Sequence, residues 1–135
     1  MHRISRTAVR ATVGALITAG LAIGFTTPAS AAASSSAIVD TSKTRAGEAF
    51  FNRSKAGSHS GKAWIDLYDA KCDAHSVYVE YRINSGGTKR HTNSGGCGTT
   101  SGVNLQTGYF AIVYRACVDV QLGGDPCSKW VADHN

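Results

Sequence analysis

The amino-acid sequence predicts an all-β fold, a small disulfide-braced antiparallel sandwich or barrel of about five to seven strands preceded by an extended N-terminal arm. Three observations lead there. From Lys62 onward, apolar and polar residues alternate with a period of two in several short stretches. Clusters of Asn, Ser and Gly separate those stretches, and none of them carries the helical period of about 3.6 residues. All four cysteines, Cys72, Cys97, Cys117 and Cys127, fall in the second half of the chain.

The chain opens on a segment of a different kind. Arg3, Arg6 and Arg10 form a cationic start, Ala11 to Phe25 is apolar apart from Thr12 and Thr18, and Pro28 precedes the small-x-small sequence Ala29-Ser30-Ala31. This is the layout of a secretory signal peptide over residues 1–31, with cleavage after Ala31, Ala32 or Ala33. The apolar run is shorter than the ~20 residues a permanent anchor needs. The expected product is therefore secreted and extracellular, with no membrane association after signal removal. Loss of the three arginines lowers the formal net charge from +5 to +2. So small a charge gives no reason to expect a nucleic-acid partner.

Export makes the cysteines readable, because an even number in a short secreted domain implies disulfides. Three pairings are possible. Cys72–Cys97 with Cys117–Cys127 is favoured, since each bridge closes a local, hairpin-like excursion. The spacings of 25, 20 and 10 residues contain no C-x-x-C pair, which argues against a zinc site. His59, His75, His91 and His134 stand sixteen or more residues apart and offer no local ligand pair. Neither a metal nor a cofactor is expected.

From Ala32 to Gly61 the residues are mostly Ser, Ala, Gly, Thr and Lys, without a steady period, as in a flexible arm. Ile38-Val39 and Ala49-Phe50-Phe51 are apolar enough to need a partner. Lys43, Arg45, Phe50 and Phe51 are the candidate partner-binding residues. The stretch Thr41-Ser42-Lys43-Thr44-Arg45-Ala46-Gly47 is expected to lie extended in a trypsin-like cleft, where a basic side chain reaches a buried acid. The alternative is a solvated linker or processed propeptide, which would tolerate loss of Phe50 and Phe51.

Lys62 to Asn135 forms the domain itself. Ala63, Ile65 and Leu67 alternate with Trp64, Asp66 and Tyr68, and Val77, Val79, Tyr81 and Ile83 with Tyr78, Glu80 and Arg82. Both read as half-buried strands. Asn84-Ser85-Gly86-Gly87 is a turn, repeated ten positions on as Asn93-Ser94-Gly95-Gly96. Val103 and Leu105 mark a short strand. Tyr109 to Val120 is the longest apolar run, with Phe110, Ile112, Tyr114, Ala116, Val118 and Val120 on one face. Gly123-Gly124-Asp125-Pro126 turns the chain, and Trp130-Val131 closes the domain.

Catalytic patterns are weak. Asn93 stands where a trypsin-like Gly-Gly loop would place an acid before its serine, and no G-x-S-x-G is present. Glu80, His91 and Arg82 supply the residue types of a small ribonuclease: a base, an acid and a cation for the phosphate. That enzyme would lose activity on Glu80→Gln. The plainer reading makes Tyr78, Glu80 and Arg82 the solvated side of an ordinary strand. Trp64 and Trp130, with Tyr68 and Tyr78, could form a platform for sugar, or one or both tryptophans could be core.

Taken together, the Ala-rich export segment, the polar arm carrying Arg45, Phe50 and Phe51, and the single four-cysteine β-domain resemble the small adaptor subunit of actinobacterial umbrella toxin particles. The resemblance lies in layout from about Ala32 to Asn135. It implies a non-enzymatic adaptor that joins a large repeat-bearing toxin to a trypsin-like or lectin-bearing subunit, with extracellular proteins as partners and no catalytic residue. The small actinobacterial α-amylase inhibitors are also similar as two-disulfide β-proteins. They lack such an arm, and their exposed Trp-Arg-Tyr loop is missing here, where Ile65-Asp66 follows Trp64. The sequence is thus read as a secreted, non-enzymatic interaction module, with a protease or glycosidase inhibitor as the alternative and the ribonuclease after it.

Overall fold

Alternation in the sequence becomes two stacked layers in the computed structural model, which describes residues 33–56 and 59–135. The signal peptide expected over residues 1–31 lies outside the described residues. Eight strands are present among the described residues: β1 (Ser35–Thr41), β2 (Thr44–Asn52), β3 (Trp64–Asp69), β4 (Val77–Ile83), β5 (Lys89–Asn93), β6 (Thr100–Asn104), β7 (Ala111–Val118) and β8 (Val131–His134). They form two antiparallel sheets, ordered β1-β2-β3-β6 (sheet I) and β5-β4-β7-β8 (sheet II). The fold is therefore the all-β, disulfide-braced sandwich that the period-two stretches predict. Its bridges join Cys72 to Cys97 and Cys117 to Cys127, the favoured pairing.

The core lies between the sheets. Ile65 and Leu67 from sheet I face Val77, Val79 and Tyr81 of β4, and Phe110, Ile112, Tyr114, Ala116 and Val118 line the inner side of β7 and its approach. The faces assigned from period two in β3, β4 and β7 supply the core between the sheets, while Trp64 and Tyr78 on the opposite faces are also buried, at 4% exposure each.

The Ala32–Gly61 segment departs from expectation. From Ser35 to Asn52 it is no arm: it supplies β1 and β2, and β2 occupies the middle of sheet I between β1 and β3. Ala37, Val39, Ala46, Ala49 and Phe51 are buried in the core. Small residues disguise these strands, because Ala and Gly bury little area and so lend the composition of a linker. Gly47 shows why they must be small. A Cβ there would sit 2.8 Å from Val77 Cγ1, so the sheets approach this closely only without a side chain. Strand β5, with the sequence Lys-Arg-His-Thr-Asn, has no apolar alternation and is a further strand beyond the expectation.

Polar side chains close the two open sides of the sandwich. Between β5 and β6, His91 Nε2 and Ser101 Oγ are 2.8 Å apart, and burial holds the His91 pKa below its ordinary value. Asn93, 1% exposed, fills its hydrogen-bonding capacity. Its Nδ2 donates to the Leu67 and Thr99 carbonyls, and its Oδ1 accepts from the Gly95 amide and the Thr99 hydroxyl. The residue expected only to open a turn ties β5 to sheet I.

On the other side, Ser35 Oγ donates to Asp133 Oδ2 at 2.6 Å and lies 2.8 Å from the Tyr114 hydroxyl, while Arg53 donates to Asp133 Oδ1 at 2.6 Å. Burial pushes the Tyr114 phenol up to about 12, with the nearby Asp133 charge adding to the shift. An unfolded tyrosine ionises near pH 10, so the stability that the neutral phenol contributes is present below that pH. It is lost as pH rises from about 10 towards 12. Melting curves followed by circular dichroism should show a fall in Tm across this window. Tyr114→Phe should flatten part of the fall, and an equal fall in both proteins would refute the assignment.

Candidate functional site

Outer faces are where such a sandwich can meet a partner, and sheet II carries the more organised one. In β4 the residues opposite the core are Tyr78, Glu80 and Arg82. Antiparallel register sets Glu80 beside Arg90 of β5 and Arg115 of β7. Arg115 donates to Glu80 through Nε at 2.8 Å and forms an ion pair with it through Nη2 at 2.7 Å. Arg90 lies 3.5 Å from the centre of the Tyr78 ring and pairs with Asp119 at 2.6 Å. The Tyr78 hydroxyl donates to Asp125, and burial followed by that hydrogen bond pushes its pKa up to about 12.

Trp130 completes the face. It immediately precedes β8, and the Arg82 and Arg115 guanidinium carbons lie 4.5 and 4.7 Å from its ring centroid. Trp130 is 37% exposed. Unlike Arg90 and Arg115, Arg82 forms no ion pair among the described residues, and its buried Nε has no hydrogen-bond partner there. The face thus presents a large aromatic ring and one uncompensated guanidinium, both held in place by neighbours.

Sheet I presents the opposite side. Ile38 is exposed, Phe50 is half-buried, and Arg45 pairs with Glu48 at 2.7 Å while covering the Tyr68 ring at 5.3 Å. Trp64 is only 4% exposed: His59 stacks on it at 4.0 Å, and its Nε1 donates to Asp66 at 2.9 Å. The four-aromatic sugar platform is not assembled. Trp64 and Tyr68 lie on sheet I, whereas Trp130 and Tyr78 lie on sheet II.

The expected partner-binding residues separate. Lys43 is exposed at the tip of the β1–β2 hairpin, Arg45 and Phe50 are on the outer face of sheet I, and Phe51 is in the core with no exposure. Phe51 is therefore corrected from a docking residue to a core residue. The stretch expected to lie extended in a protease cleft is a tight hairpin, with Ser42 and Lys43 at φ 53° and 61°. That left-handed geometry matches the twist of the flanking strands and not an extended bound segment.

The ribonuclease trio is likewise not brought together. Glu80 and Arg82 point outward from β4, while His91 lies at the β5–β6 seam against Ser101. No group of three or more His, Cys, Asp or Glu suited to a metal is found among the described residues. Sequence reading missed Trp130 as a neighbour of Arg82 because that contact depends on β8 pairing with β7. The alternation of Tyr78, Glu80 and Arg82 was its one visible sign.

Two disulfides indicate an oxidising, extracellular-type environment. No helix among the described residues is long and apolar enough to cross a membrane. No family model matches the chain, and no curated protein or solved structure matches it.

Proposed function

We propose that the protein is a secreted, non-enzymatic protein-interaction module. The observation that carries this reading is Trp130 flanked by Arg82 and Arg115 on the outer face of sheet II. Trp, Tyr and Arg dominate the energetic centres of protein interfaces, above all when their rotamers are fixed before binding. The specific form we propose, an adaptor bridging subunits of an extracellular antibacterial toxin complex, rests on the export segment and the single four-cysteine β-domain of the resemblance, not on its arm, which the fold takes up. Because the fold takes up Ser35 to Asn52, the second docking surface such an adaptor needs is assigned to sheet I, around Ile38, Arg45 and Phe50.

The test is a pull-down from the producer's culture medium with the full chain, Trp130→Ala and Ile38→Glu, read by mass spectrometry. A bridging adaptor captures two partners, each lost with a different substitution. Trp130→Ala should cost about 2 kcal/mol or more, roughly 30-fold in affinity. A single captured hydrolase that the protein inhibits by itself would replace the adaptor with an inhibitor. Capture of no partner by the unsubstituted chain would overturn the interaction reading.

A further inference from the structure

A cleft of about 420 Å³ lies at one end of the sandwich, where the β3–β4 and β5–β6 connections meet. Asp69, Lys71, His75 and Ser94 line it, and the Cys72–Cys97 bridge joins its two sides. Asp69, the last residue of β3, is 2% exposed. The Lys71 amide donates to its Oδ1 at 3.2 Å, and no donor among the described residues bonds to its Oδ2.

The neighbouring charges leave this carboxylate uncompensated. Lys71 and His75 line the same cleft, yet both are held by Asp73, at 3.2 and 3.3 Å. Lys71 Nζ also donates to Thr41 at 2.8 Å, which turns it towards β1. Asp73 thus engages both side chains of its own loop, while Asp69, whose carboxyl pKa burial pushes above its ordinary value, stands at the wall of the cleft without a charged partner among the described residues. The residue as a whole is buried, but Oδ2 opens onto the cleft with acceptor capacity to spare, which a charged donor entering from solvent can fill. The rim is also shaped at some expense. Ala74 holds φ at 60°, a left-handed conformation that an alanine adopts only when its surroundings impose it.

We propose that this cleft binds a cationic nitrogen donor, a guanidinium or ammonium group, against the Asp69 carboxylate. Two oxygens of one carboxylate can take parallel N–H bonds from a guanidinium, and one can take an ammonium. The group could come from a free amine or from a basic side chain of another protein. The site is separate from the outer face of sheet II and does not depend on the function proposed for it.

Backbone-amide NMR titration of the full chain tests the proposal, with Nα-acetyl-arginine amide, its lysine counterpart and the neutral citrulline counterpart as probes. The cationic probes should give saturable shifts at Lys71–Ser76 and Ser94–Cys97. Citrulline should bind about tenfold more weakly or worse, as should the arginine probe on Asp69→Asn, whose Oδ1 still accepts the Lys71 amide. Tighter binding of the peptide Gly-Arg-Gly than of the single-residue amide would identify a protein chain as the source. Equal binding would identify a small cation. Equal shifts with citrulline, unchanged binding by a folded Asp69→Asn, or no saturable shift with any cationic probe would each overturn the site. The citrulline comparison uses the unsubstituted chain and stands even if the variant does not fold.

Discussion

Phe51→Ala is expected to lower the unfolding free energy by about 3–5 kcal/mol, and Phe50→Ala by no more than about 1 kcal/mol. The two residues are adjacent in β2 and differ only in which face they serve. Phe51 has no exposed surface, meets Phe110 edge-on at 6.2 Å and 76°, and lies 6.2 Å from Tyr114. Its removal leaves a cavity at the contact between the sheets, which neighbouring strands cannot refill without breaking register. Phe50 is half-buried on the outer side, opposite Ser36 and Asp66. Urea unfolding of both variants measures the difference. Reversed costs would mean that β2 is slipped by one residue, which turns every side chain to the other face. Similar small costs would return the segment to the role of a detachable arm. The pair thus tests the strand assignment and the corrected role of Phe51 together.

What the sequence makes legible here follows from side-chain size and from distance along the chain. β3, β4 and β7 alternate bulky apolar residues with polar ones, so their buried faces can be named residue by residue. β1 and β2 follow the same geometry, but Ala37, Ala46, Gly47 and Ala49 carry too little apolar area to announce it. β5 holds its place through Asn93 and His91 rather than through apolar burial, and no hydrophobic pattern can reveal that. The candidate site divides in the same way. Tyr78, Glu80 and Arg82 share a face by local alternation, which the sequence states directly. Trp130 reaches Arg82 only because β8 pairs with β7, and Ser94 joins Asp69 at one cleft only because a disulfide draws two connections together. Such contacts belong to the topology, and topology is where single-sequence reasoning weakens.

The disulfides should differ in how they yield to reductant, and together they should decide whether the domain folds. Cys72 and Cys97 are both exposed, whereas Cys117 is fully buried within β7. A thiolate must reach a sulfur to displace it, so access orders the two reactions. Under native conditions with dithiothreitol, alkylation and mass spectrometry should find Cys72–Cys97 opened first. Cys117–Cys127 should persist until the domain unfolds, since it pins Ser128 and Pro126 against β7 through backbone bonds to Ala116 and Val118. On loop entropy the bridges contribute about 3.5 and about 2.7 kcal/mol, for loops of 25 and 10 residues. Their sum, about 6 kcal/mol, falls within the ~5–15 kcal/mol that holds a typical domain folded. Opening the first bridge alone should therefore lower Tm while leaving one cooperative transition. Complete reduction should leave little or no folded protein at 37 °C. A fully reduced chain that still melts cooperatively at the oxidised Tm would show that the core between the sheets suffices without staples, contrary to what a domain of this size is expected to bury.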